Sequence, residues 1–155
     1  MTLTISRISP EDTIWSELMG TVKSLNQTNW VTIQADHFQS SHMLVATVNE
    51  QTVGFLRFII QRLGEDEERP PIAFKGKTLY EAKIIAFGVV PEVRNQGIGR
   101  MLQEAAQVHA RELGCYQIRS RSSYGNDANY HLKIDMGFAI QPSLENDSVY
   151  FMITL

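Results

Sequence analysis

The residues best suited to chemistry lie in one run, Val89-Val90-Pro91-Glu92-Val93-Arg94-Asn95-Gln96-Gly97-Ile98-Gly99-Arg100. An apolar stretch ends at Pro91, a short turn follows, and a helical pattern opens on Gly97-Ile98-Gly99. The first turn of a helix carries N–H groups without intrahelical partners, and its dipole favours an anion. A glycine there lets a phosphate approach the backbone. Arg94 and Arg100 add positive charge. No Gly-Lys-Ser/Thr follows, so this is not a Walker loop. Leu102 stands where a dinucleotide fingerprint needs a third small residue, so that reading is poor too.

The elements that must position this run can be read from periodicity. Leu3 to Ile8 alternates as a short strand, and Ser9-Pro10-Glu11-Asp12 reads as a helix start with Ile14, Leu18, Val22 and Leu25 at helical spacing. A second helix is expected over 29–39. Met43–Val48 and Thr52–Leu63 form a hairpin about Asn49-Glu50-Gln51. Residues 64–77 read as a loop whose acidic run, Glu65-Asp66-Glu67-Glu68, is either solvated or a lid attracting a cationic substrate. Leu79–Val90 is a strand buried on both faces toward its end. Gly97–Leu113 is a helix with a stripe of Ile98, Met101, Leu102, Ala105, Val108 and Leu113, capped by Gly114. Tyr116–Arg121 is a strand, Asp127–Met136 a helix ended by Gly137, and Phe138–Ile140 and Val149–Leu155 are final strands paired across a turn containing Pro142. The order predicts an α/β fold: a mixed, mostly antiparallel sheet of six to seven strands flanked by about four helices.

Composition sets limits around this reading. The chain has 155 residues, 43% hydrophobic and 20% charged, with a net charge of −3. That is one domain, 1–155, and it argues against a general affinity for nucleic acid. A lone cysteine, Cys115, excludes an internal disulfide and leaves a thiolate metal site without ligands. The four histidines lack ligand spacing, so no metal is expected. The longest apolar run, Ile84 to Val90, is far short of the roughly 20 residues of a membrane span. Met1 to Pro10 has no apolar leader core, so the expected location is the cytoplasm.

Arg94-x-x-Gly97-x-Gly99, after Val89-Val90-Pro91-Glu92, resembles the acetyl-CoA motif of the GCN5-related N-acetyltransferase (GNAT) superfamily. Gly137-Phe138 after the last helix resembles a second signature of that family, and the match spans about 43–138. The resemblance implies two central strands splayed apart with acetyl-CoA between them, and no metal. It implies that the amides of Arg94, Asn95, Gln96, Gly97, Ile98, Gly99 and Arg100 bind the pyrophosphate. Phe87, Gly88 and Val89 would meet the pantetheine, with the Val89 N–H as oxyanion donor, and Asn126 would lie near the cofactor.

Many members carry a tyrosine as general acid four residues before the Gly-Phe pair. Here that position is Lys133, whose ammonium can stabilise a thiolate but is not an equivalent residue. Tyr130, and less so Tyr124, is a substitute within reach of a shifted helix. Strict alternation along the strand puts 81, 83, 85, 87 and 89 on one face, so Glu81 is the candidate base, acting through water.

The activity implied is acetyl transfer from acetyl-CoA to a primary amine of a small molecule or peptide, by direct attack in a ternary complex. The alternative is a non-catalytic acyl-CoA-binding module on the same fold. Trp30, Phe38 or Tyr80 can line the acceptor groove. Arg119 and Arg121 either reach the nucleotide phosphates or stay solvated. His109, Arg111 and His131 are expected on the solvent side and Cys115 as a buried thiol. A homodimer is compatible with the family.

Overall fold

The computed structural model describes residues 2–155; Met1, part of the leader reading above, lies outside the described residues. Nine strands and four helices alternate as β1 (Leu3–Ile8), α1 (Trp15–Ser24), α2 (Thr28–Thr32), β2 (Ser40–Val48), β3 (Gln51–Arg62), β4 (Ala73–Phe74), β5 (Lys77–Thr78), β6 (Tyr80–Val89), α3 (Ile98–Glu112), β7 (Gln117–Ser123), α4 (Asp127–Asp135), β8 (Ala139–Pro142) and β9 (Ser148–Thr154). Seven strands form one sheet in the order β1-β2-β3-β6-β7-β9-β8, and β4 and β5 make a small separate hairpin. Every neighbouring pair in the large sheet is antiparallel except β6 with β7. That parallel pair needs a crossover, which α3 supplies.

The β2–β3 hairpin turns on Asn49 and Glu50, both with positive φ (49° and 68°), the backbone of a two-residue primed turn. One sheet face packs Leu44, Leu56, Phe58, Ala82 and Ile84 against Ile98, Leu102 and Ala106 of α3. The other packs Val45, Phe55 and Ala86 against Leu18 and Val22 of α1. Fully burying each such side chain contributes about 1.5–3 kcal/mol, so both helices are held chiefly by these faces.

Several expectations shift. Ser9–Asp12 is a tight turn, since the Ser9 N–H donates to Asp12 Oδ2 (2.7 Å) and the Asp12 N–H donates back to the Ser9 carbonyl (3.0 Å). The helix therefore begins at Trp15. The second helix is five residues long, because the chain turns extended at Ile33. On α3, Met101, Val108 and Leu113 are exposed, while Gln103 and Ala106 take core positions.

The start of the acidic loop is anchored and is no free lid, while Glu68 and the residues after it to Lys77 are exposed. Asp66 pairs with Arg119 and Lys83, Glu67 with Arg119 (2.8 Å) and Glu65 with Arg62 (3.3 Å). Beneath them Glu81, with 0% exposure, accepts from Gln61 Nε2 (2.8 Å), the Gly64 N–H (3.0 Å), Gln117 Nε2 (3.0 Å) and Arg119. Arg119 is thus a buried clamp and not a phosphate ligand. Burial works against its charge, but Glu81 and Asp66 hold its proton more tightly than usual. For Asp66, burial pushes the carboxyl up. The hydrogen bond from Lys83 and the charge of Arg119 outweigh that and hold it at about 2.

Glu81→Gln leaves part of this clamp unpaired and is expected to cost roughly 2–3 kcal/mol in chemical denaturation. Acidification should destabilise the protein in two stages. His42, stacked on Phe58 and pulled down to about 4 by burial and then by Arg7, resists protonation in the fold. Its contribution is lost as pH falls from about 6.5 toward 4. Asp66, depressed in the fold, contributes roughly 1–2 kcal/mol that is lost between about 4 and 2. His42→Gln should remove the upper stage and Asp66→Asn the lower, read as denaturation midpoints against pH.

Candidate active site

The central feature follows from where β6 and β7 stop pairing. Their parallel rungs run only from Glu81–Gln117 to Ile84–Ser120. Beyond this, β6 continues to Val89 and β7 to Ser123 without each other, and the gap is a fork. Ile85 has no partner on β3, whose pairing steps from Arg57–Ala86 to Phe58–Ile84. This bulge reverses the face of every later residue. Ala82 and Ile84 therefore share the α3-side core with Phe87 and Val89, while Ala86 joins the α1 side. The alternation that put Glu81 beside Phe87 and Val89 does not survive the bulge. Glu81 stands on the opposite face, inside the ionic clamp, and is corrected from candidate base to structural carboxylate.

The Val90 N–H donates to the Val53 carbonyl (2.8 Å). In an antiparallel ladder the next outward-pointing residues on β6 are then Val89 and Phe87, whose N–H and C=O groups face the fork. This chain's own side chains meet part of that edge. The Gln27 carboxamide pairs twice with Phe87, its Nε2 donating to the carbonyl (2.7 Å) and its Oε1 accepting from the N–H (3.0 Å). Arg94 Nε donates to the Val89 carbonyl (2.9 Å). Gly88 makes this possible, because a Cβ there would lie 2.9 Å from Leu25 and 3.2 Å from Gln27 Nε2.

The fork opens into a cleft of about 1040 Å³. Of the residues singled out from sequence, Phe87, Gly88, Val89, Arg94, Asn95, Gly97, Ile98, Gly99, Arg100, Asn126 and Lys133 line it, and Gln96 does not. Gly97 caps α3 at φ 83°, a left-handed conformation that costs any other residue about 1–2 kcal/mol. Arg100 is partly neutralised by Glu104 (2.8 Å). Asn126 caps α4, its Oδ1 accepting from the Asn129 N–H (3.3 Å).

Tyr130 is not in the cleft. Its ring packs edge-on against Phe151 (5.4 Å between centroids), and its hydroxyl is buried without a partner. It is corrected from candidate acid to core residue. Lys133, one turn on, does line the cleft although it is 1% exposed. Its Nζ donates to Gln103 Oε1 (3.0 Å) and Ser120 Oγ (3.1 Å), and burial pulls it down to about 7.

The far wall comes from the α1–α2 side. Trp30 lines it at 55% exposure, with its carbonyl held by Arg57 Nη1 (2.9 Å). Phe38 sits instead under Arg57, and Tyr80 packs in the core. Arg121, Glu145 and Asp147 complete the rim as an ion-paired group. His131 and Arg111 are exposed, His109 is half-buried, and Cys115 is buried with its thiol pushed up to about 11 by burial and then by Glu81.

Sequence reasoning missed Gln27 and Gln103. A glutamine just past a helix or inside one carries no spacing signal; a polar residue in the stripe of α3 was the only hint at Gln103. Among the described residues, no three His, Cys, Asp or Glu side chains converge as a metal site, and no helix is long and apolar enough to cross a membrane.

Comparison with known proteins adds the family. The acetyltransferase (GNAT) family model matches residues 7–138. No curated protein matches significantly. Among solved structures, NAA60 from Arabidopsis thaliana in complex with acetyl-CoA is similar at 19% identity, covering 99% of each chain, with a TM-score of 0.71. The PaiA N-acetyltransferase of Thermoplasma acidophilum in complex with coenzyme A is similar at 14% identity, covering all of both chains, with a TM-score of 0.65. A GNAT family acetyltransferase from Elizabethkingia anophelis with acetyl-CoA bound is similar at 17% identity, covering 99% of this chain and 98% of the other, with a TM-score of 0.63. At these identities the structures speak for the fold, and the family model, covering most of the chain and its glycine turn, decides membership: the chain belongs to the acetyltransferase (GNAT) family.

Proposed function

We propose that the protein transfers the acetyl group of acetyl-CoA to a primary amine of a small molecule or peptide. The observation that carries this reading is the open edge of β6 beside the amino end of α3. The edge already holds a carboxamide, that of Gln27, on both the N–H and the carbonyl of Phe87, the groups that the two successive amides of pantetheine would meet as a neighbouring strand does. The edge therefore fits an amide-bearing chain. The turn from Arg94 to Arg100 fits a pyrophosphate, through the N–H groups of the first turn of α3 and the two arginines.

In this reading Val89 offers its N–H to the oxygen that gains charge at the acyl carbon. Phe87 and Gly88 shape the slot, Gly97 and Gly99 bring the backbone close to phosphate, and Asn126 and Lys133 border the sulfur end. Acetyl-CoA supplies an activated acyl carbon and a thiol leaving group. Trp30 and the carboxylates Glu145 and Asp147, two acids sharing the single cation Arg121, support an acceptor that is cationic in water. It must lose a proton before attack, and the open cleft provides water to take it.

Saturating acetyl-CoA is expected to raise the melting temperature, since a ligand of the native state adds RT ln(1 + [L]/Kd). A panel of amines should include at least one that releases CoA. Binding with no release across the panel would favour the acyl-CoA-binding module instead. Gly99→Glu places a carboxylate where a Cβ already meets Phe87 at 3.2 Å, and Gly97→Glu strains a left-handed backbone. Both should retain a cooperative melt and lose CoA binding by at least about 100-fold, read by calorimetry. Retained affinity in both would refute the pyrophosphate site.

A further inference from the structure

The segment between the ionic clamp and β6 stands out from the rest of the surface. Every residue from Glu68 to Thr78 is exposed. Arg69 to Thr78 holds three cations, Arg69, Lys75 and Lys77, and no acid, in a chain whose net charge is −3. It also presents Ile72 at 49% exposure and Phe74 at 63%. The β4–β5 hairpin turns on Lys75 and Gly76, both with positive φ (51° and 77°), the backbone of a two-residue primed turn.

The root of this arm is fixed. The Arg69 N–H donates to the Gly64 carbonyl (3.2 Å), the Leu79 N–H to the Ile72 carbonyl (2.8 Å) and the Leu63 N–H to the Leu79 carbonyl (3.2 Å). Asp66 and Glu67, just before it, are tied to Arg119. The free end is amphipathic. Residues opposite one another in a hairpin share a face, as do residues two apart. Phe74 pairs with Lys77, so Ile72, Phe74 and Lys77 lie on one face. The Lys75 Nζ sits over the Phe74 ring, 5.4 Å from its centroid. Among the described residues, no carboxylate pairs with Arg69, Lys75 or Lys77.

Size and charge together select the partner. A specific protein interface takes roughly 20–30 residues a side, and the arm is far smaller than that. A bilayer surface asks for less: an aromatic or aliphatic side chain at the boundary of headgroup and acyl chain, with cations on flexible stems at the level of the phosphates. Each such cation strengthens binding to an anionic leaflet about fivefold.

We infer that the β4–β5 arm docks the protein on an anionic lipid bilayer, with Phe74 and Ile72 entering the headgroup boundary and Arg69, Lys75 and Lys77 meeting lipid phosphates. The contact lies on the membrane and needs no spanning helix. With a single aromatic anchor it is reversible and weakened by salt. β6 runs from the root of the arm at Tyr80 to the fork at Val89, roughly 30 Å of extended strand, so the docked protein keeps its cleft open. The inference is independent of acyl transfer, and the failure of either leaves the other standing.

The whole protein is sedimented with vesicles of phosphatidylcholine alone, and of phosphatidylcholine mixed equally with phosphatidylglycerol, at low and high salt. Wild type should bind the anionic vesicles at least about tenfold more tightly than the neutral ones and lose that preference at high salt. Phe74→Ser should weaken binding at least about tenfold, and the double variant Lys75→Gln/Lys77→Gln about 25-fold. These positions are exposed, so both variants should melt with wild type and keep acetyl-CoA affinity within about twofold. Phe74→Trp should keep vesicle binding and be quenched by brominated lipid beyond the level that Trp15 and Trp30 give in wild type.

No binding to anionic vesicles, or equal binding to neutral ones, overturns the proposal. So does binding that neither Phe74→Ser nor the lysine variant weakens, or a Trp at 74 that brominated lipid leaves unquenched. A single-stranded oligonucleotide held more tightly than the vesicles, and lost by both variants, overturns it in favour of nucleic acid. A concentration-dependent dimer that Phe74→Ser dissolves, without vesicle binding, overturns it in favour of a second copy of the chain.

Discussion

A backbone cannot leave its polar groups buried and unpaired, and in this fold that constraint is concentrated on half of one strand. β6 pairs with β3 from Tyr80 to Val89 apart from the bulge at Ile85, but with β7 only up to Ile84. The remainder must find partners elsewhere. The bulge at Ile85, the glycine at 88, the reach of Gln27 and the turn of Arg94 onto Val89 are all answers to that single demand. The cleft is the space those answers enclose.

The two ends of the β6–β7 pair are chemically opposite. At one end Glu81, Asp66, Glu67, Lys83 and Arg119 make a dense clasp of three carboxylates and two cations. At the other, Lys133 and Gln103 make a sparse cluster with donors to spare. A densely ion-paired network is suited to holding strands together, and a sparse one with donors to spare is suited to meeting something that arrives. The clasp keeps the strands joined up to Ser120, so it fixes where the fork begins and hence where Lys133 stands relative to β6.

Much of this was legible in the residues themselves. The element order and the glycine turn followed from patterns that depend on local chemistry, whereas the grouping of Phe87, Gly88, Val89, Asn126 and Lys133 with that turn followed from the family resemblance, and Gln96, grouped with them, does not line the cleft. Glu81 and Tyr130 were misplaced for reasons that local patterns do not contain. A bulge adds one residue to a strand and inverts every face beyond it, yet Ile85 reads like any other β-former in an apolar run. Tyr130 and Lys133 lie on neighbouring turns, and which one turns toward the fork depends on how α4 packs on Phe151. Asp66 and Glu67 looked solvated because their partners, Arg119 and Lys83, are distant in the chain. Gln103 disturbed the stripe of α3 only as an interruption, and what it interrupts for is visible once α4 lies across it.

The double pairing of Gln27 with Phe87 has a consequence for the protein's life before any ligand arrives. A naked strand margin is a template on which another extended segment, from a neighbour or a nascent chain, can zip itself into fibrous aggregates. A side chain that imitates one peptide unit occupies that template without extending it. Being a single tethered carboxamide, it can yield to a longer rival that grips several points at once, so the molecule stays colloidally quiet while its slot remains negotiable.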